Sequence, residues 1–362
     1  MRPVAQAGGE QMSSRQRHFG GPRVEASLRQ GGAWLPLFVL ALAAFLGTLL
    51  ILAEAIIDAP RRQPARPLDL DSGQVSVPAQ PRQPVAGRSE TSAAPGAAPA
   101  EALLEPPAGV TRWEDPLLRR AIEDALGPDI VHTSVTVLRL ADGRAASVDG
   151  SRVYYAASTF KLAVLYEAEK RRSTGELDLE SVIQFNDGDL GEDLGTLGYL
   201  TFEADGGIRI RAALEGMVTY SDNSSAVALL HLLGGGAIDD TLRGLGLTAM
   251  SVNTRDLPTT ADDLALLMGA IVEGRGLSQE ARDEMHSFLL RQRTRDGIPA
   301  GLPAGVAAGN KTGTWEGATH DVAFVDAPGG TYVLAILSDR GWEWDPLKRV
   351  SEAVYREMSA RR

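Results

Sequence analysis

The chain has 362 residues, 44% of them apolar, and a formal charge of −11. That is enough apolar material for an enzyme-sized core, and the acidic balance argues against a nucleic-acid partner, which rewards clustered Lys and Arg. The absence of cysteine excludes disulfides, thiolate metal sites, a Cys nucleophile and a lipidated-cysteine anchor, and the five histidines stand at no metal-ligand spacing, so neither a metal nor another cofactor is expected.

Residues 1–33 read as a disordered cytoplasmic tail. From Trp34 to Leu52 the sequence carries no charge, and about nineteen helical residues at 1.5 Å each nearly cover a ~30 Å hydrocarbon layer. Residues 34–57 are therefore expected to be a transmembrane anchor. A cleaved secretory signal ending near Ala53-Glu54-Ala55 is the competing reading, but the run is long for a signal core and begins late. Arginines on both sides leave the orientation open. Residues 58–110 hold half of the prolines of the chain among Ala, Gln, Ser and Arg, a composition that reads as a spacer rather than a packed unit.

Order is expected from 111 to 362. DPLLRRAIEDALG is an amphipathic helix with Leu117, Leu118, Ile122 and Leu126 on one side. SVTVLRL, the turn Ala141-Asp142-Gly143 and RAASV form a hairpin. A helix runs from Ser158 to about Arg172, residues 175–300 are mostly helical, three strands follow from 305, and WDPLKRVSEAVYREMS closes the chain as a helix. Strands at both ends with helices between them predict an α+β domain, with an antiparallel sheet built from both ends of the domain and a helical subdomain.

Ser158 and Lys161 fall on one helix face a turn apart, which puts an amine beside a hydroxyl. A lysine takes a serine proton only when neutral, and burial among Phe160, Leu162, Val164 and Leu165 favours that form. Alone, the pair is better described as a capping serine and a surface lysine. The composition weighs against that, because only four lysines occur among many arginines, and arginine cannot act as a base. Ser221-Asp222-Asn223 stands between two helical runs, where it either caps the next helix or presents a proton relay and an amide binder. Lys311-Thr312-Gly313 ends a strand, as an ordinary edge or as a substrate edge with a cation and a carboxylate donor.

In this order the three elements resemble the S-x-x-K, S-D-N and K-T-G motifs of the serine β-lactamase and penicillin-binding protein superfamily, most closely the class A β-lactamases, over residues 111–362. The resemblance implies the β-lactamase/transpeptidase-like fold, Ser158 as acylated nucleophile, Lys161 as its base and Ser221 as proton shuttle to the leaving nitrogen. It implies that Asn223, Lys311, Thr312 and Gly313 hold the amide and carboxylate of the substrate, that Thr314 supplies an oxyanion N–H, and that Glu316 touches larger substituents at the rim.

One departure stands out: the class A loop pattern E-x-x-L-N, whose glutamate activates the deacylating water, is absent. Asp256 is the nearest acidic candidate for a water activator, but a loop salt bridge with a neighbouring arginine is the favoured account of it. The expectation is a membrane-anchored, extracytoplasmic serine hydrolase with a monomeric catalytic domain, acylated by a β-lactam or a peptidoglycan-like amide and slow to release the acyl group. The alternatives are a D,D-peptidase acting on stem peptides and a covalent sensor without turnover.

Overall fold

The computed structural model describes residues 113–360. The expected tail, anchor and spacer, residues 1–110, lie outside the described residues, and among the described residues no helix is long and apolar enough to cross a membrane.

In chain order the elements are β1 (Trp113–Glu114), α1 (Pro116–Leu126), β2 (Thr133–Arg139), β3 (Arg144–Val148), β4 (Tyr154–Tyr155), α2 (Lys161–Thr174), β5 (Val182–Ile183), α3 (Asp187–Gly191), β6 (Ile208–Arg209), α4 (Ile210–Thr219), α5 (Asn223–Leu233), α6 (Gly235–Gly244), β7 (Pro258–Thr259), α7 (Ala261–Glu273), α8 (Gln279–Leu290), β8 (Ala308–Trp315), β9 (Ala318–Ala327), β10 (Gly330–Ser338) and α9 (Asp345–Ser359). Six strands form one sheet in the order β1-β3-β2-β10-β9-β8, so both ends of the domain build it, as expected. The sheet is mixed rather than wholly antiparallel, because the short edge strand β1 pairs parallel to β3. Two residues leave too little pattern to set a direction in advance.

The two faces of the sheet are covered by different helices, and strand alternation sorts the side chains between them. In β10, Tyr332, Leu334 and Ile336 enter one core with Leu118, Ile122 and Leu126 of α1 and with Val350 and Val354 of α9. Val333, Ala335 and Leu337 enter the other core, with α7 and the helical part. Leu117, placed by pattern on the apolar side of α1, is 58% exposed instead. It is the second residue behind the capping Asp115, whose side chain accepts from the N–H groups of Leu117 and Leu118, and the core stripe begins one residue later. Beyond the two aspartates of its first turn, helix α7 is apolar as far as Glu273 and packs between the sheet and other helices, which fits a largely buried helix.

Candidate active site

Ser158 lies on a tight 3₁₀ turn, Ala157–Phe160, that runs directly into α2. The turn is held by Ala156 N–H donating to Leu257 O at 2.8 Å and by Thr159 Oγ1 donating to Ala156 O at 2.6 Å. Ala157 (φ 45°), Ser221 (φ 59°) and Leu257 (φ 38°), all at or beside the site, are three of the five non-glycine residues with positive φ among the described residues. Each such conformation costs of order 1 kcal/mol and persists where the surroundings over-determine it.

The Lys161 side chain is wholly buried. Its Nζ lies 2.6 Å from Asn223 Oδ1, 2.7 Å from Ser221 O, 3.1 Å from Ser158 Oγ and 3.3 Å from Ser221 Oγ. Burial, helped by the nearby charge of Lys311 and opposed by Asp222, holds this amine well below the ordinary lysine range. Ser221 Oγ also accepts from Lys311 Nζ at 2.9 Å, so one hydroxyl is shared by two lysines. Lys311 donates to Thr312 O at 2.7 Å as well; burial brings it down to about 7, against the pull of Asp321.

Strand β8 ends the sheet, so among the described residues one edge of its backbone pairs with no strand, which suits it to meet a ligand. That edge runs against the nucleophile turn. A Cβ on Gly313 would stand 2.9 Å from Ala156 O and 3.1 Å from Ser158 N, so glycine is what lets strand and turn approach. The hydroxyls of Thr312 and Thr314 hydrogen-bond to no other described residue. The amide nitrogen of Asn223 likewise donates to none.

The structure thus brings Ser158, Lys161, Ser221, Asn223, Lys311, Thr312, Gly313 and Thr314 together. Asp256 is exposed and lines a cleft beside Tyr155 and Trp315. It has no hydrogen bond or ion pair among the described residues, so the salt bridge expected of it is not formed. No carboxylate among the described residues is hydrogen-bonded to Ser158 or Lys161.

Three supporting residues escaped the sequence reading. Thr196 Oγ1 donates to Asp222 Oδ2 at 2.5 Å while Asp222 Oδ1 accepts from Ser225 N at 2.6 Å, so a loop residue and the start of α5 together fix the buried carboxylate between Ser221 and Asn223. The buried His320 ring contacts Tyr155 O through Nε2 at 2.9 Å and accepts from Ser338 N at Nδ1; burial brings it down to about 4, so it stays neutral and ties β9 to the nucleophile run. Asp321 accepts from Asn310 Nδ2 at 2.9 Å and from Ile298 N at 2.8 Å, and burial pushes it up to about 7. The only local hint of any of them was Asp193-Leu194-Gly195, a turn whose aspartate accepts from the N–H groups of Gly195 and Thr196 at 2.8 Å each.

A serine hydroxyl, a desolvated lysine amine and a second serine hydroxyl in contact with that amine are groups that acyl-enzyme chemistry can use, and this domain is a serine hydrolase of that kind. The family described as the Beta-lactamase enzyme family matches residues 117–358, and the chain belongs to it. Two solved structures of a protein called PBP-A are similar: one at 26% identity (TM-score 0.63, covering 70% of this chain and 98% of that one), the other a point mutant in an acyl-enzyme complex with penicillin G at 25% identity (TM-score 0.63, 68% and 97%). A β-lactamase from Sphaerobacter thermophilus, at 24% identity with TM-score 0.57 over 66% of this chain and 94% of its own, shares the fold. No curated protein matches the sequence.

Proposed function

We propose that this protein is acylated on Ser158 by β-lactams and releases the acyl group slowly. The observation that carries the reading is the set of contacts around Lys161 Nζ. A neutral amine has two N–H bonds and one lone pair. The two nearest neighbours, Asn223 Oδ1 at 2.6 Å and Ser221 O at 2.7 Å, can only accept, so they use both N–H bonds. The lone pair is left for the hydroxyl hydrogen of Ser158, whose oxygen is 3.1 Å away.

Ser158 Oγ then attacks the amide carbonyl as its proton passes to Lys161. The developing oxyanion is met by the backbone N–H groups of Ser158 and Thr314. Ser221, placed between the two lysines, delivers a proton to the leaving nitrogen, and the substrate carboxylate lies against Lys311, Thr312 and Thr314. The acyl-enzyme of the similar PBP-A mutant with penicillin G supports the substrate class. Slow release rests on the missing E-x-x-L-N loop and on the lack, among the described residues, of a carboxylate bonded to Ser158 or Lys161.

Because β-lactams and cell-wall peptides are met outside the cytoplasmic membrane, the reading places the N-terminus inside, residues 34–57 across the bilayer and 58–110 as a spacer to a monomeric catalytic domain. A D,D-peptidase uses the same groups, and slow release fits it equally. Incubation with a chromogenic cephalosporin, a fluorescent penicillin and a synthetic stem peptide tests the assignment. Stable labelling with slow cephalosporin turnover is expected; D-alanine release would indicate the peptidase, and no labelling at all would refute the reading.

A further inference from the structure

A second set of groups lies beside the site and is used by none of these steps. The segment from 245 to 260, between α6 and α7, is pinned on both shoulders. The Asp239 side chain accepts from Val252 N at 2.8 Å and Ser251 Oγ at 2.6 Å; that of Asp263 accepts from Ala249 N at 2.8 Å and Met250 N at 2.7 Å. β7 then pairs with β4. These anchors place Arg255 and Asp256 at a cleft of about 470 Å³ that Val153, Tyr155, Pro258 and Trp315 also line.

The cleft lies beside the active site, at the end of the same strand. Lys311, Gly313 and Trp315 alternate onto one face of β8, so Trp315 stands about 7 Å along the strand from Gly313. The Trp315 ring meets Tyr155, three residues ahead of Ser158, edge-on at 6.5 Å between centroids. Arg255 and Asp256 carry opposite charges, are exposed, and form no ion pair with each other or with any other described residue.

We propose that this cleft is a subsite for a substrate arm that ends in both a carboxylate and an ammonium group, as the free end of an amino acid does. The carboxylate meets the planar guanidinium fork of Arg255. The ammonium meets Asp256 and the aromatic faces of Tyr155 and Trp315, and a short apolar stem lies on Val153 and Pro258. An arm with one charge matches one residue and leaves the other without a partner, which is how the cleft would discriminate. This rests on the acyl-serine reading and narrows its substrate class.

The test measures second-order acylation of the full chain by penicillins that share a nucleus and differ in the arm: 5-amino-5-carboxypentanoyl, 5-carboxypentanoyl, 5-aminopentanoyl and phenylacetyl. The doubly charged arm is expected to react about tenfold faster than either singly charged arm. Arg255→Ala should remove its advantage over the amine-only arm, and Asp256→Asn should remove its advantage over the carboxylate-only arm, each read as a ratio of rates within the variant. Equal rates for all arms, with Ser158 still acylated, would overturn the subsite and leave the acyl-serine reading standing. No acylation by any compound would overturn both.

Discussion

At the scale of single residues, the proposed mechanism turns on two buried lysines whose protonation must differ. Lys161 has to be neutral to accept a proton, and burial together with the charge of Lys311 lowers it. Lys311 has to be charged to attract a carboxylate, and it is brought down only to about 7, with Asp321 sustaining its charge. The signs give opposite limbs. Activity rises with pH as Lys161 loses its proton, at a pH well below the ordinary lysine range, and falls as pH passes about 7 and Lys311 loses its own. The second-order acylation rate, which reports the free enzyme, should therefore trace a bell with its descending limb near neutrality. Lys311→Arg should lower the rate yet abolish that limb, because a guanidinium does not titrate there; an unchanged limb would assign it elsewhere.

At the scale of elements, the Ser221-Asp222-Asn223 turn shows what local sequence can and cannot carry. Its residue types were readable because capping chemistry is local: the Asp222 side chain caps α5 by accepting from Ser225 N. The donor on the other oxygen, Thr196, lies 26 residues earlier in an irregular segment, and no periodicity links the two. Replacing Thr196 by Val removes that donor and leaves a buried carboxylate oxygen unmatched, a loss of about 1–3 kcal/mol. Thermal unfolding should report the destabilisation, and acylation should slow as Ser221 and Asn223 lose their support; a variant as stable and as fast as the parent would remove Thr196 from the site. S-x-x-K and K-T-G were legible because their residues lie within one turn or one strand, whereas His320, Asp321 and the Thr196 contact depend on how β9 and the 186–200 loop pack. The strands from 308 to 338 were legible as segments joined by short turns, but the parallel edge β1 was not, since its two residues carry no pattern.

At the scale of the whole domain, the sheet fastens the beginning of the described chain to its end. Arg144 Nε and Nη2 reach Asp115 Oδ2 at 2.6 and 2.5 Å, and Nη1 donates to Glu357 O at 2.8 Å, with the guanidinium side chain only 1% exposed. Arg144→Ala removes a buried guanidinium together with its bonds to Asp115 and Glu357 O, which should cost about 3–5 kcal/mol in denaturant unfolding; a loss below about 1 kcal/mol would mean that the clasp is solvated. The clasp holds β1, α1 and α9 around β3, and on the same sheet β8 is set against the nucleophile turn, so the fold and the chemistry share one scaffold. The most direct test of that chemistry is the intact mass of the protein after exposure to benzylpenicillin, compared with the Ser158→Ala variant. One covalently bound drug per chain that persists for minutes in the parent and is absent from the variant is the predicted result; an equal mass gain in the variant would contradict the account.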